Sequence, residues 1–185
     1  NRMKHPFKDV CYDVDALLSG VTKLSTFCSR LEKQGLLYPA RFTRDTYVGM
    51  GFESFGEILI VNSPIDKRID AIDYVPITDN DMGVDGVGLN RDDEAHTFQF
   101  KYRSFNDKLL TANRDHISNF VAHSLLKYDA KSMTIITTAK DLHNVIATEM
   151  YQDQVRTIGY KSLQKLVDGN LQFWKIFQTE LNNTP

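Results

Sequence analysis

The sequence predicts an α/β fold in which a mixed central β-sheet is flanked by helices. Three observations support this class. Apolar residues recur every three or four positions over the N-terminal third, which is the period of a helix. Between residues 71 and 103 the period falls to two, which is the period of a strand. A helical segment then separates the third strand from a fourth. The predicted order is α-α-β-β-β-α-β-α-β-α-α.

Two helices are predicted before the sheet. The first covers residues 13–35, with Asp13 as its N-cap and Gly35 as its stop signal. The second covers residues 45–60 and ends before an Asn-Ser-Pro turn. The apolar stripe of the first helix fits core packing, and its near-heptad spacing also fits a helix-mediated homodimer. The stripe consists of Leu17, Val21, Leu24, Cys28 and Leu31.

The second helix contains three glycines, Gly49, Gly51 and Gly56. Each lowers helix propensity by about 1 kcal/mol relative to alanine. Glycines kept inside a helix usually allow a neighbouring element to approach closely. We therefore expect this helix to pack tightly against its neighbours.

Four strands are predicted at residues 71–77, 83–89, 96–103 and 133–138. Turn-forming residues separate the first three, so these strands form an antiparallel meander. The helix between the third and fourth strands is marked by Ile117, Phe120, Val121 and Leu125, and implies a right-handed crossover. The remaining elements are a helix at 142–151, a strand at 155–160, and closing helices at 162–167 and 171–181.

Composition limits the compartment and the partners. The 185 residues include 42% hydrophobic and 25% charged residues, and the net charge of −2 argues against coating nucleic acid through bulk charge. No apolar run approaches the roughly 18 residues that span a bilayer, and the first residues are too polar for a signal sequence. We expect a cytoplasmic protein with no membrane partner. Cys11 and Cys28 are expected to be reduced and buried.

Charge is distributed unevenly along the chain. Residues 66–99 contain nine acids and three bases, whereas residues 101–140 contain seven bases and three acids. A cation site beside a phosphate-binding track requires an acidic segment next to a basic one. Chance variation of the surface produces the same pattern.

Three polar residues lie inside segments that are otherwise mostly apolar and are expected to be buried. Gln99 and Lys101 share one face of the third strand, because alternate side chains of a strand point the same way. Asp85 lies on the neighbouring strand, where it can oppose that pair. The alternatives are a structural Asp85 bonded to main-chain amides, a buried Asp85–Lys101 salt bridge with Gln99 as an ordinary strand residue, and a metal site.

These residues resemble a known family. Asp85 in "GVDGV", followed by "QFK" at residues 99–101, resembles the motif of the PD-(D/E)xK nuclease superfamily, also called restriction-endonuclease-like, whose core order is α-β-β-β-α-β. "GMGFE" at residues 49–53 is similar to the G-x-x-F-E helix motif of the Mrr-like branch. "ISNFVAHSL" and "MTIITTA" resemble the crossover helix and strand of nuclease domains attached to DEAD/DEAH-type helicases.

The resemblance implies a fold, a domain layout and a reaction. It covers about residues 43–167, so residues 1–42 form an N-terminal helical extension and residues 43–185 a nuclease-like domain within one compact unit. The implied activity is Mg²⁺-dependent endonucleolytic cleavage of DNA, with Mn²⁺ as a possible substitute. The chain begins with Asn rather than Met, which agrees with a domain of a longer helicase-type or restriction-type protein.

The resemblance also implies site residues. The metal ligands would be Asp85, Gln99, the Phe100 carbonyl and Glu53, with Glu57 as the alternative on roughly the same helix face. Lys101 would position the attacking water, help to deprotonate it and hold the scissile phosphate. Many members of the family have a carboxylate where this chain has Gln99. That departure favours the alternative of an inactive nuclease-like fold used for nucleic-acid binding or protein assembly.

Basic residues after the third strand are candidates for contacts with the DNA backbone, and aromatic residues lie among them. Thr137 and Thr138, at the end of the fourth strand, are further candidates for a phosphate contact. The five histidines and two cysteines form no zinc-type spacing. The predicted nucleic-acid-binding set is Arg103, Lys108, Arg114 and Lys140.

Overall fold

The structure is a computed structural model, and it describes residues 3–11, 13–62, 68–79, 82–111, 116–142 and 154–183. The helices are α1 (Phe7–Val10), α2 (Val14–Leu18), α3 (Leu24–Gly35), α4 (Arg41–Asn62), α5 (Ile117–Tyr128), α6 (Tyr160–Val167) and α7 (Leu171–Asn183). The strands are β1 (Ile72–Pro76), β2 (Gly86–Leu89), β3 (Ala95–Lys101), β4 (Leu109–Leu110), β5 (Ser132–Thr137), β6 (Asp141–Leu142) and β7 (Val155–Ile158).

A five-stranded mixed sheet organises the fold. Its strand order is β1-β2-β3-β5-β7; β1, β2 and β3 are antiparallel neighbours, while β5 runs parallel to both β3 and β7. Phe98 of β3 lies beside Gly86 on one side and Thr134 on the other. Strands β4 and β6 form a separate parallel pair. The predicted α/β class, with a mixed sheet flanked by helices, is confirmed.

Helix α4 covers one face of the sheet. Phe98 and Phe100 of β3 are buried in the same core as Phe52 and Phe55 of α4. Gly56 makes this contact possible, since a Cβ atom there would lie 2.0 Å from the Phe100 ring. Close packing is thus confirmed at Gly56, and also at Gly51, where a Cβ would lie 2.5 Å from Leu31. Gly49 has open space instead.

Helix α5 covers the opposite face. Phe120 and Val121 of α5 pack with Met133 and Ile135 of β5 in a second core cluster. The Thr97 hydroxyl of β3 donates to the Ser124 hydroxyl of α5 at 2.8 Å. Odd-numbered side chains of β3 therefore face α5, and the even-numbered phenylalanines face α4.

The helix predicted for residues 13–35 is wrong in one respect, because the chain forms two helices there. Asp13 does act as an N-cap, since its carboxylate accepts the Ala16 N–H at 3.1 Å. The first helix ends at Leu18, Ser19 is extended, and Gly20 adopts φ +71°. This left-handed conformation ends a helix and suits glycine. The apolar stripe nevertheless packs inside the chain, as its leucines are fully buried.

The N-terminal and C-terminal helices meet through aromatic rings. Phe27 of α3 lies 5.6 Å from Phe55, 5.7 Å from Trp174 and 5.5 Å from Phe177, measured between ring centroids. The Trp174 indole N–H donates to the Val167 carbonyl at 2.9 Å. The predicted extension is therefore continuous with the core, and its boundary at residue 42 falls inside the first turn of α4.

Other predictions near the termini vary in outcome. The closing helices and the strand at β7 are found, whereas the helix at 142–151 lies outside the described residues apart from Leu142, which belongs to β6.

Cys11 and Cys28 are free thiols, half-buried rather than buried. Burial raises the pKa of the Cys28 thiol to about 12 and also raises that of Cys11. Within the described residues, no helix has the length and apolar character needed to cross a membrane.

Candidate functional site

Asp85 lies immediately before β2, where the hairpin of β2 and β3 opens. Its main-chain N–H donates to the Phe98 carbonyl at 2.8 Å, and its own carbonyl accepts the Ile77 N–H at 2.8 Å. Its carboxylate accepts the Phe100 N–H, also at 2.8 Å. The Asp85 carboxylate thus takes the place of the main-chain carbonyl that would accept the Phe100 N–H if the pairing of β2 with β3 continued. The predicted alternative of an Asp85 bonded to a main-chain amide is therefore observed, and it also fixes the carboxylate beside Phe100.

The electrostatic surroundings of Asp85 are unusual for an acid. Burial first, and then the negative charge of Glu53, raise the pKa of the Asp85 carboxyl from 3.8 to about 8. The Phe100 N–H and the positive charge of Lys101 act in the opposite direction. Glu53 and Lys101 therefore lie close enough to Asp85 to influence its ionisation. A cation bound beside these groups would favour the ionised carboxylate.

The two helix carboxylates have different surroundings. Both oxygens of Glu57 are engaged by the N-terminal segment, since they accept the Lys4 N–H at 2.7 Å and the His5 N–H at 2.9 Å. Glu57 is buried, which raises its pKa. Glu53 has a partly exposed side chain and accepts a hydrogen bond from the His5 ring at 2.8 Å. The geometry favours Glu53 over Glu57 as the ligand from the helix.

Gln99 lies on the α5 face, away from α4. It is fully buried, and neither the oxygen nor the nitrogen of its amide has a hydrogen-bond partner among the described residues. A Cβ atom on Gly83 would lie 2.6 Å from the Gln99 nitrogen, so the amide lies against the loop that precedes Asp85. Lys101 follows on the same face and is half-buried. Gln99 and Glu53 therefore belong to opposite faces of the sheet, with Asp85 at the edge between them.

The predicted ligands carry oxygen atoms, the donors that divalent cations such as Mg²⁺ prefer. Asp85 and Glu53 supply carboxylates, and the buried Gln99 amide oxygen lacks the hydrogen bond that such a group normally has. The described residues contain no group of three His, Cys, Asp or Glu side chains able to hold a metal. Because Gln99 and Glu53 lie on opposite faces of the sheet, a cation beside Asp85 would take its ligands from the Asp85 and Glu53 carboxylates and the main chain, and not from the Gln99 amide.

Two of the predicted backbone-contacting residues lie near the parallel pair of β4 and β6. The Lys140 N–H donates to the Lys108 carbonyl at 2.8 Å, and the Lys108 ammonium lies 4.6 Å from the Phe105 ring centroid. Arg103 follows the end of β3, where the Thr138 hydroxyl accepts its N–H and donates to its carbonyl. Arg114 lies outside the described residues.

The threonines predicted to contact a phosphate have another role. The Thr137 hydroxyl donates to the Lys101 carbonyl at 2.7 Å, and the Thr138 hydroxyl bonds twice to the main chain of Arg103. Both side chains are buried. They join the end of β5 to the end of β3, and so help to fix the segment that begins with Lys101.

Sequence reasoning missed two residues beside this site. His5 contacts Glu53, and its other ring nitrogen lies 3.2 Å from the Ser54 hydroxyl. The Tyr74 phenol occupies the space above Gly86, where a Cβ atom would lie 2.1 Å from its oxygen. Burial, and then the charges of nearby carboxylates, raise the pKa of Tyr74. No local pattern could have found either residue, because both reach the site through tertiary contacts.

Comparison of the chain with protein-family models gave no match, and comparison with curated proteins gave none either.

Proposed function

We propose that this chain is a divalent-metal-dependent endonuclease domain that hydrolyses phosphodiester bonds in DNA. The observation that carries the proposal is the Asp85 carboxylate, held by the Phe100 N–H and lying near the charges of Glu53 and Lys101. Apart from the two-residue strand β4, which lies between β3 and α5, the order is α4-β1-β2-β3-α5-β5. This order supports membership of the PD-(D/E)xK superfamily, because it matches the core order of that group.

Asp85, Glu53 and the Phe100 carbonyl would hold the cation, which we propose to be Mg²⁺ with Mn²⁺ as a substitute. Gln99, the other predicted ligand, is buried on the opposite face of the sheet from Glu53 and is left out of this set. The N–H and C=O groups of one strand residue point to the same edge. Because the Phe100 N–H reaches Asp85, the Phe100 carbonyl faces the same side, beyond the first residue of β2. When bound, the cation would neutralise charge on the phosphate and lower the pKa of a coordinated water.

The protein's own groups would orient the reactants. Lys101 lies two residues beyond Gln99 on the same face of β3, so its ammonium can bind the scissile phosphate and direct the attacking water. The bonds from Thr137 and Thr138 hold the main chain on which Lys101 lies. His5 would keep Glu53 oriented toward Asp85 through its 2.8 Å contact.

The test is a nicking assay on supercoiled plasmid with Mg²⁺, with Mn²⁺ and with EDTA. We expect cleavage with either metal, none with EDTA, and a loss of about 100-fold or more in Asp85→Asn and Lys101→Met. Asp92→Asn and Lys131→Met are matched controls, since both residues are exposed. Circular dichroism and thermal unfolding establish that each variant folds. Cleavage that persists in EDTA, or that survives both site substitutions, would contradict the proposal.

The second candidate is a nuclease-like domain that binds nucleic acid without cutting it. It is favoured by Gln99 in place of a carboxylate, which reduces the negative charge available to a cation. DNA binding without nicking under all metal conditions would support it. We also propose a helicase domain in a longer chain and a cytoplasmic location, and the two unpaired thiols support a reducing compartment. The apolar stripe that suggested a homodimer packs inside the chain instead, so it does not support one.

A further inference from the structure

A cleft of about 830 Å³ adjoins the proposed metal site and shares Phe100 and Lys101 with it. One wall comes from the end of α3 and the first half of α4. The other comes from residues 100–105, at the end of β3 and just beyond it. The predicted N-terminal extension therefore contributes to a surface that begins at the proposed catalytic lysine.

The described lining of the cleft is rich in cations. Arg41, Arg44, Lys101 and Arg103 line it, against two acids, Glu32 and Asp45. Both acids already have partners in the structure. Glu32 accepts the Ser104 hydroxyl at 2.6 Å, and Asp45 lies 3.7 Å from Arg41 in an exposed pair that contributes little stability. The lining therefore carries an excess of positive charge that suits a phosphate backbone.

Arg44 adds a second observation. Its Nε atom is buried and has no acceptor among the described residues, while its terminal nitrogen makes only a long contact of 3.4 Å with the Pro39 carbonyl. A buried donor without an acceptor is rare in folded proteins. A guanidinium that lines a cleft and has unused donors is suited to bind a phosphate through charge-assisted hydrogen bonds.

An aromatic ring lies among these cations. The Phe105 side chain lines the cleft and is 62% exposed, with the Lys108 ammonium 4.6 Å from its centroid. A large aromatic side chain held in water costs hydrophobic free energy. Aromatic rings beside a basic groove are the features that stack the bases of single strands. In a duplex, neighbouring base pairs already cover the faces of each base.

We propose that this cleft binds an unpaired DNA strand, with its phosphates on Arg44, Arg41 and Arg103 and a base stacked on Phe105. The inference rests on the proposed function, because Lys101 belongs to both the cleft and the site. The strand would then deliver the scissile phosphate to Lys101. The substrate class is DNA with an unpaired stretch, such as a single strand, a flap or a junction.

Fluorescence anisotropy in EDTA tests the inference without cleavage. The probes are a labelled 12-nucleotide strand and its blunt duplex. We expect the strand to bind more tightly than the duplex, and Phe105→Ala to weaken strand binding by about 5- to 100-fold. Arg44→Ala should weaken binding and reduce the slope of log K against log salt by about 0.7. Leu171→Ala and Lys131→Ala are controls for an exposed apolar residue and an exposed base outside the cleft.

The outcomes separate this inference from the proposed function. Equal or tighter binding of the duplex would overturn the inference, and so would unchanged strand binding by folded Phe105→Ala and Arg44→Ala. Nicking that depends on Asp85 and Lys101 would still support the nuclease in either case. Conversely, strand binding that requires Phe105 and Arg44 in a protein that never nicks DNA would support strand binding by the cleft and contradict the proposed endonuclease activity.

Discussion

Asp85 is half-buried and Glu57 is buried, and their oxygens meet different groups. Those of Glu57 are engaged by two main-chain N–H groups of the N-terminal segment, whereas the Asp85 carboxyl lies near the charge of Glu53. The placement of Asp85 in an apolar segment made it a candidate site residue from the sequence. The choice between Glu53 and Glu57 could not be predicted, because the deciding contacts come from residues about fifty positions away.

His96 shows what burial does to a titratable group outside the site. The side chain is buried, stacks on Phe98 with 4.2 Å between ring centroids, and bonds to the Thr134 hydroxyl at 2.7 Å. Burial first, and then the charge of Arg156, lower the pKa of His96 to about 4. The His96 imidazole is therefore protonated near pH 6.5 in the unfolded chain but only near pH 4 in the folded protein.

We expect this residue to make the protein acid-sensitive. Between about pH 6.5 and pH 4 the unfolded state binds more protons at His96, so the free energy of unfolding falls as the pH falls. Through His96, the free energy of unfolding of the parent protein should fall by as much as about 3 kcal/mol between pH 7 and pH 4, and His96→Gln should lack this part of the fall. Urea unfolding at a series of pH values measures it. His116→Gln, at an exposed position, is the control; a parental pH slope in His96→Gln would contradict the assignment.

At the scale of elements, alternation predicted the sheet well, because β1, β2, β3 and β5 each begin and end within three residues of the predicted bounds. The break between α2 and α3 could not be predicted. Apolar residues keep helical spacing through Gly20, and a single glycine is tolerated inside helices. The two-residue strands β4 and β6 are too short to carry a periodic pattern.

The contact between α4 and β3 gives a prediction at this scale. Gly56→Ala should destabilise the protein by about 1–3 kcal/mol or more, because its Cβ would overlap the buried Phe100 ring. Gly49→Ala on the same helix meets nothing within 4 Å and should stabilise by about 0.4–1 kcal/mol. Chemical denaturation of the two variants provides the comparison. Equal effects would show that the close approach at Gly56 does not exist.

At the scale of the whole molecule, the N-terminal helices are part of the core. The sequence predicted their apolar stripe but left open whether it faced the same chain or a second copy. That choice depends on which surface the stripe meets, and no local pattern reports it. In the structure the stripe meets α4 and α7 of the same chain, with Phe27 among their aromatic rings.

Phe27 tests how far the extension supports the rest of the fold. Phe27→Ala should reduce the free energy of unfolding by about 3–5 kcal/mol, because the ring is fully buried between α4 and α7. Phe42→Ala removes the same side chain at a position that is 82% exposed, and should change it by less than about 0.5 kcal/mol. A small effect at Phe27 in thermal or urea unfolding would mean that the extension docks only weakly.

Trp174 is the sole tryptophan of the sequence, and it packs against Phe27 while its indole N–H bonds to Val167. Intrinsic fluorescence excited at the red edge of protein absorption therefore originates from one ring at one junction. Transfer of that ring from apolar contacts to water should move its emission to longer wavelength. The molecule thus contains its own optical reporter for separation of α3 from α7, without any attached dye.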